Sequence, residues 1–236
     1  MNVKTFVNIN RQEQARKWLP MPRRFPRHTA TIRLVPRKEL TLSDRSLRTL
    51  AHRKAKEEDY LGAISLFTQL IGRDPNNAVD YNNRGLMHFR SGQREKALID
   101  YNKALQINPQ LDSVYNNRAN YYASAGELAK ALNDYEEALD LNPANSRTWI
   151  NQAITFRELG LHELALENLD LALMLGYLED HIHAERGRTY HLRGDWNCAI
   201  SDYQKALKKL SHSGSSGRLR RKVETWMSQL LEPLSA

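Results

Sequence analysis

Alanine recurs in this chain at a fixed interval of 34 residues, and this spacing is the strongest constraint on the fold. The five copies are Ala63, Ala97, Ala131, Ala165 and Ala199. Phe, Tyr or Leu stands four residues after each alanine, and Ala or Gly stands twelve residues before it. A unit of this length built from two amphipathic segments buries its apolar faces only by stacking on further copies. The spacing therefore predicts a linear array of repeats without one central core.

Five units of 34 residues run without insertion when Asp44 is counted as position 1. They are residues 44–77, 78–111, 112–145, 146–179 and 180–213. Within a unit, apolar or small residues at positions 4 and 8 share one helical face, and those at positions 20, 24, 27 and 28 share another. We expect the small residues at positions 8 and 20 to let the two helices approach closely, so that enlarging one overpacks the contact.

Glycine and proline mark the ends of the helices. Position 15 is glycine in four units, which predicts a left-handed turn between the two helices, and Glu58 stands there in the first unit. Position 32 is proline in the first three units, which predicts that the second helix ends before it. Tyr177 and Ser211 occupy this position in the last two units, so we expect a less regular end there.

Positions 7 and 23 change together from one unit to the next. The pairs are Leu50 with Leu66, Arg84 with Asp100, Arg118 with Asp134, Gln152 with Asn168, and Arg186 with Asp202. Both members are apolar, of opposite charge, or amides in every unit. This matching predicts a contact between the two helices of a repeat at each pair.

In this pattern the chain resembles the tetratricopeptide repeat (TPR) family over residues 44 to 213. The resemblance implies an all-α fold, a right-handed α-α superhelix (TPR solenoid) of five helix-turn-helix repeats plus a C-terminal capping helix. Residues 214–236 are expected to supply a linker and that capping helix, because Leu219, Val223, Trp226 and Leu230 share one helical stripe. The Ser/Gly-rich run before it is typical of a short flexible joint.

The resemblance also predicts a binding groove, because in this family positions 2, 5, 6, 9, 12 and 13 of the first helix line the concave face. Asparagines fill many of these positions, namely Asn82, Asn83, Asn116, Asn117, Asn120 and Asn151. A carboxamide both donates and accepts hydrogen bonds, so such a ladder suits the backbone of an extended peptide. The alternative is that the Asn-Asn pairs help one repeat dock on the next.

Basic residues at the same positions predict the charge of the ligand. They include Arg48, His52, Arg90, Arg147, Arg157 and Arg188, with Glu158 and Glu185 interrupting them. These residues favour an acidic or phosphorylated segment of another protein as the ligand. The alternative is that they form an ordinary solvated surface. We therefore expect a non-enzymatic protein–protein interaction adaptor that binds an extended, acidic segment in its groove.

Residues 1–43 form a basic, Pro/Arg-rich arm outside the repeats. Ten Lys or Arg and two Glu stand in this arm, so its net charge equals the net charge of the whole chain, which is +8. This composition predicts an extended or disordered arm. The alternative function is nucleic-acid binding through this arm, which would be strongly salt-dependent. Docking of the arm on an acidic protein and organelle targeting are two further possibilities.

Other classes of function lack a sequence signature. No phosphate-binding glycine loop or paired-cysteine metal motif is present, and His162-Glu163 is not followed by the second histidine of a zinc-protease motif. We expect no catalytic residue, metal or cofactor. His181, His183 and His191 are expected to be structural or solvated, and Cys198 to be a packing or partly exposed thiol. The single cysteine and the absence of a long apolar run predict a cytoplasmic protein without membrane insertion.

Overall fold

The computed structural model describes residues 42–212 and 217–231, which form eleven α-helices and no strand. Ten of these helices pair as helix-turn-helix repeats: α1 (Asp44–Lys56) with α2 (Tyr60–Arg73), α3 (Ala78–Arg90) with α4 (Arg94–Ile107), α5 (Asp112–Ser124) with α6 (Leu128–Leu141), α7 (Ser146–Glu158) with α8 (His162–Met174), and α9 (Glu179–Arg193) with α10 (Trp196–His212). Helix α11 (Gly217–Leu231) follows. The predicted all-α helical repeat superhelix is confirmed. The basic arm, apart from its last two residues, and the centre of the Ser/Gly joint lie outside the described residues.

The recurring alanines form the contact between the two helices of each repeat. All five are completely buried, and the aromatic or leucine side chains four residues later are 0–1 % exposed. A Cβ atom added to Gly85 would lie 2.9 Å from Cε1 of Tyr101, and one added to Gly187 would lie 2.7 Å from Cδ1 of Tyr203. Both distances are shorter than a normal carbon–carbon contact. In these two repeats a larger residue at position 8 would therefore force the tyrosine ring at position 24 to shift.

The turns between paired helices follow the glycine pattern. Gly92, Gly126, Gly160 and Gly194 have φ angles between 76 and 94°, as expected for a left-handed residue at a helix end. Glu58 adopts the same conformation at φ 60° although it is not glycine. The first repeat thus keeps the turn of the other four at a cost in backbone strain.

The proline pattern also explains where the second helices end. Helices α2, α4 and α6 each end two residues before a proline. Helix α8 has no such proline and ends at Met174, after which Gly176 and Leu178 have φ angles of 74° and 56°. Helix α10 has none either and continues to His212. The expected irregularity of the last two repeats is confirmed.

The first helices of the repeats form the inner layer of the array. Helices α3, α5, α7 and α9 contact one another in chain order, whereas second helices of successive repeats make at most slight contact. In a curved stack, the side on which successive units are closest together is the concave side. The face of the first helices that points away from the second helices is called the inner face below.

The matched pairs at positions 7 and 23 are in contact where they are polar. Arg118 donates to both carboxylate oxygens of Asp134 at 2.7 and 2.8 Å. Arg84 binds Asp100 and Arg186 binds Asp202 in the same two-pronged way. In the fourth repeat Asn168 Nδ2 donates to Gln152 Oε1 at 2.7 Å. The cross-helix contact predicted from the internal comparison is confirmed in these four repeats.

The same arginines also join neighbouring repeats, which the sequence did not suggest. Arg84 donates to Thr68, Arg118 to Asn102 and Arg186 to Asp170 through the nitrogen left over from the ion pair. Each acceptor stands at position 25 of the preceding repeat. One guanidinium thus links three helices, and we call each such group an arginine clamp.

Helix α11 covers the open end of the fifth repeat. Its Leu219 and Val223 are buried in a cluster with Tyr203 and Leu210, and Trp226, Met227 and Leu230 pack against that cluster. The ring of Trp226 stacks on the ring of Tyr203 with a centroid distance of 6.2 Å. The helix therefore supplies the apolar face that a sixth repeat would otherwise bring.

Candidate functional site

The asparagines of the inner face form hydrogen bonds between repeats. Asn117 Nδ2 donates to Asn82 Oδ1 at 2.9 Å, and Asn151 Nδ2 donates to Asn116 Oδ1 at 3.1 Å. Position 6 of one repeat is thus bound to position 5 of the repeat before it. Asn82 and Asn116 are each only 6 % exposed. In these two pairs the asparagines help adjacent repeats dock, which is the alternative raised by the sequence.

Carboxamide atoms nevertheless remain available on the inner face. Asn117 and Asn151 are half-buried and use only their nitrogen in these bonds, so each retains its Oδ1 oxygen. Asn83 is also half-buried, and no hydrogen bond of its side chain is seen within the part of the chain that the structure describes. Asn120 accepts a hydrogen bond from the buried Tyr135 hydroxyl at 2.8 Å. The ladder therefore offers two acceptors and one complete amide.

Arg48 belongs to the docking contact between the first two repeats. It donates to both oxygens of Asp80 at 3.0 and 2.7 Å, and Asp80 is completely buried. The hydrogen bond that Arg48 donates to Asp80 raises the pKa of the Arg48 guanidinium, although burial opposes this. The side chain of Arg48 remains 34 % exposed, so one edge still reaches the inner face.

Arg157 and Arg188 are held by residues near the C-terminal end of the array. Arg157 donates to the Glu185 carboxylate at 2.8 Å, and Lys222 of α11 lies 3.2 Å from the other oxygen. Arg188 lies over the ring of Trp226, 5.4 Å from its centroid. Glu185 is therefore buried and paired on both sides, and α11 covers the inner face at the fifth repeat.

Four cations of the inner face have no such partner. Arg45, Lys56, Arg90 and Arg147 are exposed, and no ion pair or hydrogen bond of their side chains is seen among residues 42–212 and 217–231. His52 is exposed as well, with its ring against Phe67 at a centroid distance of 5.7 Å. Of the two inner-face carboxylates, only Glu158 is exposed. The inner face of the first four repeats is therefore electropositive.

The three histidines and the cysteine do not form a cluster, and both buried and exposed side chains occur among them. His183 is buried with its Nδ1 atom 3.1 Å from Asp202, and His191 lies 3.2 Å from the Tyr203 hydroxyl. Burial lowers the pKa of His191, with a smaller contribution from Arg188. His181 and Cys198 are exposed. No group of three metal-ligating side chains occurs within the described parts of the chain.

None of the described helices combines the length and the apolar character that crossing a bilayer requires.

No curated protein sequence matches this chain significantly. A sequence profile of the tetratricopeptide repeat matches residues 78–111 and 113–145, which are the second and third repeats.

Several solved structures share the fold. A thermophilic TPR protein of Thermus thermophilus is 18 % identical with a TM-score of 0.69, and the match covers 79 % of this chain and 100 % of that one. A tetratricopeptide repeat protein of Parabacteroides merdae is 19 % identical with a TM-score of 0.62, over 79 % of this chain and 72 % of that one. A chain of the APC/C hetero-tetramer Cut9-Hcn1 is 19 % identical with a TM-score of 0.70, over 80 % of this chain and 36 % of that one.

The fold is therefore that of a protein–protein interaction scaffold, and the repeat profile and the solved structures agree with the repeat pattern of the sequence. The two matched repeats have the same helix lengths, turns and buried alanines as the first repeat, and the last two differ mainly at their ends. Its second and third repeats match the tetratricopeptide repeat profile, and the described repeats share the fold of solved tetratricopeptide repeat proteins.

Proposed function

We propose that this chain is a non-enzymatic cytoplasmic adaptor whose inner face binds an extended, anionic segment of another protein. The observation that carries the proposal is the charge of that face. Arg45, Lys56, Arg90 and Arg147 point to solvent without a carboxylate partner in the described structure. The inner-face carboxylate of Glu185, in contrast, is buried and paired. An acidic segment would supply the missing partners.

The asparagines divide into a supporting set and a contacting set in this proposal. Asn82, Asn116 and Asn120 position their neighbours, because their side chains are engaged inside the array. Asn83, Asn117 and Asn151 contact the ligand. The free oxygens of Asn117 and Asn151 would accept from peptide N–H groups one repeat apart, and Asn83 would donate and accept. Such contacts tolerate any ligand sequence, so the basic residues supply the selectivity.

The basic residues divide in the same way. Arg90, Arg147 and His52 are exposed and available to a ligand, with the free edge of Arg48 beside them. Arg157 and Arg188 act through Glu185 and Trp226 instead, and they hold the end of the inner face in shape. The ligand therefore runs from the first repeat to the fourth, where α11 and the fifth repeat close the face.

A binding measurement with extended peptides tests the charge. Fluorescently labelled peptides rich in Glu, in Ser and Gly, or in Lys are titrated with the full chain at low and high salt. We expect the Glu-rich peptide to bind best and its affinity to fall with salt. Arg90→Glu should weaken it about ten-fold. Lys103→Glu is the matched control, because Lys103 is an exposed cation of the same repeat on α4. Equal binding of all three peptides would exclude the proposal.

A second variant tests the asparagines separately from the stability of the array. Asn83→Ala removes an amide that makes no hydrogen bond in the described structure, so the melting temperature should not change. Binding of the Glu-rich peptide should fall several-fold. Asn82→Ala breaks the bond to Asn117 and should lower the melting temperature. If Asn83→Ala leaves the affinity unchanged, the ladder has no part in binding.

A further inference from the structure

The fourth repeat differs from the other four on the exposed side of its second helix and in the segment that follows it. At positions 19, 26, 29, 32 and 33 of the unit it carries Leu164, Leu171, Met174, Tyr177 and Leu178. At positions 26 and 29 the other repeats carry only glycine, amides or charged residues, and at position 32 only proline or serine. Because all five copies must stack in the same way, stacking does not explain this concentration of apolar residues.

These five side chains are exposed. Leu164 and Leu171 are 41 and 44 % exposed, Met174 is 84 % and Tyr177 is 70 %. Leu164 and Leu171 are seven residues apart, two turns of the helix, and therefore lie on one ridge. The buried residues of α8, among them Ala165, Leu169 and Ala172, point to the opposite side, towards α7 and α9. We call the side of α8 that exposes Leu164, Leu171 and Met174 the α8 outer face.

The α8 outer face is also acidic. Helix α8 carries Glu163, Glu167 and Asp170 and has no Lys or Arg. Two arginines of α9 reach the carboxylates at its edges. Arg193 binds both Glu163 and Asp195, whereas Arg186 binds Asp170 and is mainly engaged with the buried Asp202. Glu167 is exposed between the two leucines of the ridge, without a partner in the described structure.

We propose that the α8 outer face is a second docking surface, which binds an amphipathic helix of another protein with basic residues beside its apolar stripe. The exposed leucines and Met174 bind the stripe in the way in which two helices pack along their ridges. Glu163, Glu167 and Asp170 bind the flanking Lys or Arg residues. The excess of carboxylates opposes an anionic membrane surface and also opposes pairing of two α8 helices face to face.

This surface lies on the opposite side of the repeat from the inner face. The two partners would have opposite charge, acidic for the inner face and basic for the α8 outer face. A chain of this design would hold both partners at the same time, and neither site depends on the other.

The test uses a labelled helical model peptide of leucine and lysine, a scrambled peptide of the same composition, and a leucine–glutamate version. The amphipathic leucine–lysine peptide should bind the full chain, and the other two should not. The double variant Leu171→Gln/Met174→Gln copies Gln69 and Gln106, which stand at these positions in the first two repeats. It should weaken binding at least about ten-fold. Its melting temperature should not change, because both side chains are exposed.

The matched control is Ile99→Gln, which removes an apolar residue that is 66 % exposed on α4. It should leave peptide binding unchanged. Equal binding of the double variant, or equal binding of the scrambled peptide, would overturn the proposal. Analytical ultracentrifugation is a second test. If the parent chain is a dimer and the double variant is a monomer, the α8 outer face serves self-association and the proposal is wrong.

Discussion

Arg118 donates two hydrogen bonds to Asp134 across the helix pair of the third repeat, and the carboxylate is only 9 % exposed. Arg118→Ala would leave this buried charge without its partner and should cost about 3 kcal/mol of unfolding free energy. Arg118→Leu combined with Asp134→Leu copies the first repeat, where Leu50 and Leu66 stand, and should recover most of that loss. Urea denaturation of both variants measures the difference.

The coupling between the two residues gives the control for this prediction. In a double-mutant cycle with alanine, Arg118 and Asp134 should show an interaction energy of at least about 0.5 kcal/mol. Additive effects would mean that the ion pair adds nothing to stability. The contacts of Arg118 with Asn102 and with the ring of Tyr115 remain outside the cycle, because only the pairwise term survives the subtraction.

Glu58→Gly should stabilise the protein. Glu58 has a φ of 60°, a conformation that costs a residue with a Cβ atom about 1 kcal/mol and costs glycine nothing. Glycine stands at the equivalent position of the other four repeats, so the turn is compatible with it. The midpoint of chemical denaturation should rise. Gly92→Ala is the reverse change in the second repeat and should lower the midpoint by a similar amount.

Tyr101 and Tyr135 occupy the same position in neighbouring repeats but differ in their hydroxyl groups. The buried Tyr101 hydroxyl has no hydrogen-bond partner in the described structure, whereas that of Tyr135 donates to Asn120. Leu86 stands in the second repeat where Asn120 stands in the third. Tyr101→Phe should therefore be neutral or stabilising, and Tyr135→Phe should cost about 1 kcal/mol. Equal losses in thermal denaturation would contradict the difference in environment.

Stability should fall in acid because of Asp202. Burial opposes its charge, but hydrogen bonds from His183 and Arg186 outweigh burial and hold its pKa at about 2, below the ordinary value of 3.8. A lowered pKa stabilises the folded state at pH values above about 4, and this stabilisation is lost as the pH falls towards 2. The loss is about 2 kcal/mol.

The measurement for this prediction is the unfolding free energy as a function of pH. Asp202→Asn should be less stable than the parent at neutral pH and should lose less between pH 4 and pH 2. Glu137→Gln is the comparison variant, because Glu137 is an exposed carboxylate of α6 with no ion pair in the described structure. Parallel curves for the parent and Asp202→Asn would show that this residue does not control the acid transition.

The parts of the structure that the sequence predicted are those repeated five times. The alanines, the turn glycines and the pairs at positions 7 and 23 recur at one interval, so each copy tests the others. Contacts between repeats were harder to predict. A helical face places Asn82 and Asn117 on the same side of their helices, but it does not say whether they face a ligand or each other. Their 2.9 Å hydrogen bond decides this.

The sequence also did not predict where the open part of the inner face ends. Arg188 stands at a groove position, and only the packing of α11 shows that Trp226 covers it. Position 25 carries Thr68, Asn102 and Asp170, which share no charge or size that would have marked them as partners of the arginine clamps. Long side chains reach across an interface in directions that periodicity does not define.

The arginine clamps have a consequence for how the array unfolds. They join the first repeat to the second, the second to the third and the fourth to the fifth. Gln152 stands at position 7 of the fourth repeat, and its described hydrogen bond stays within that repeat. The junction between the third and fourth repeats is thus the one in this series without an arginine clamp in the described structure. In a linear array, cooperative unfolding depends on the contacts between adjacent repeats. Hydrogen exchange should therefore show two blocks that open separately, the first three repeats and the last two.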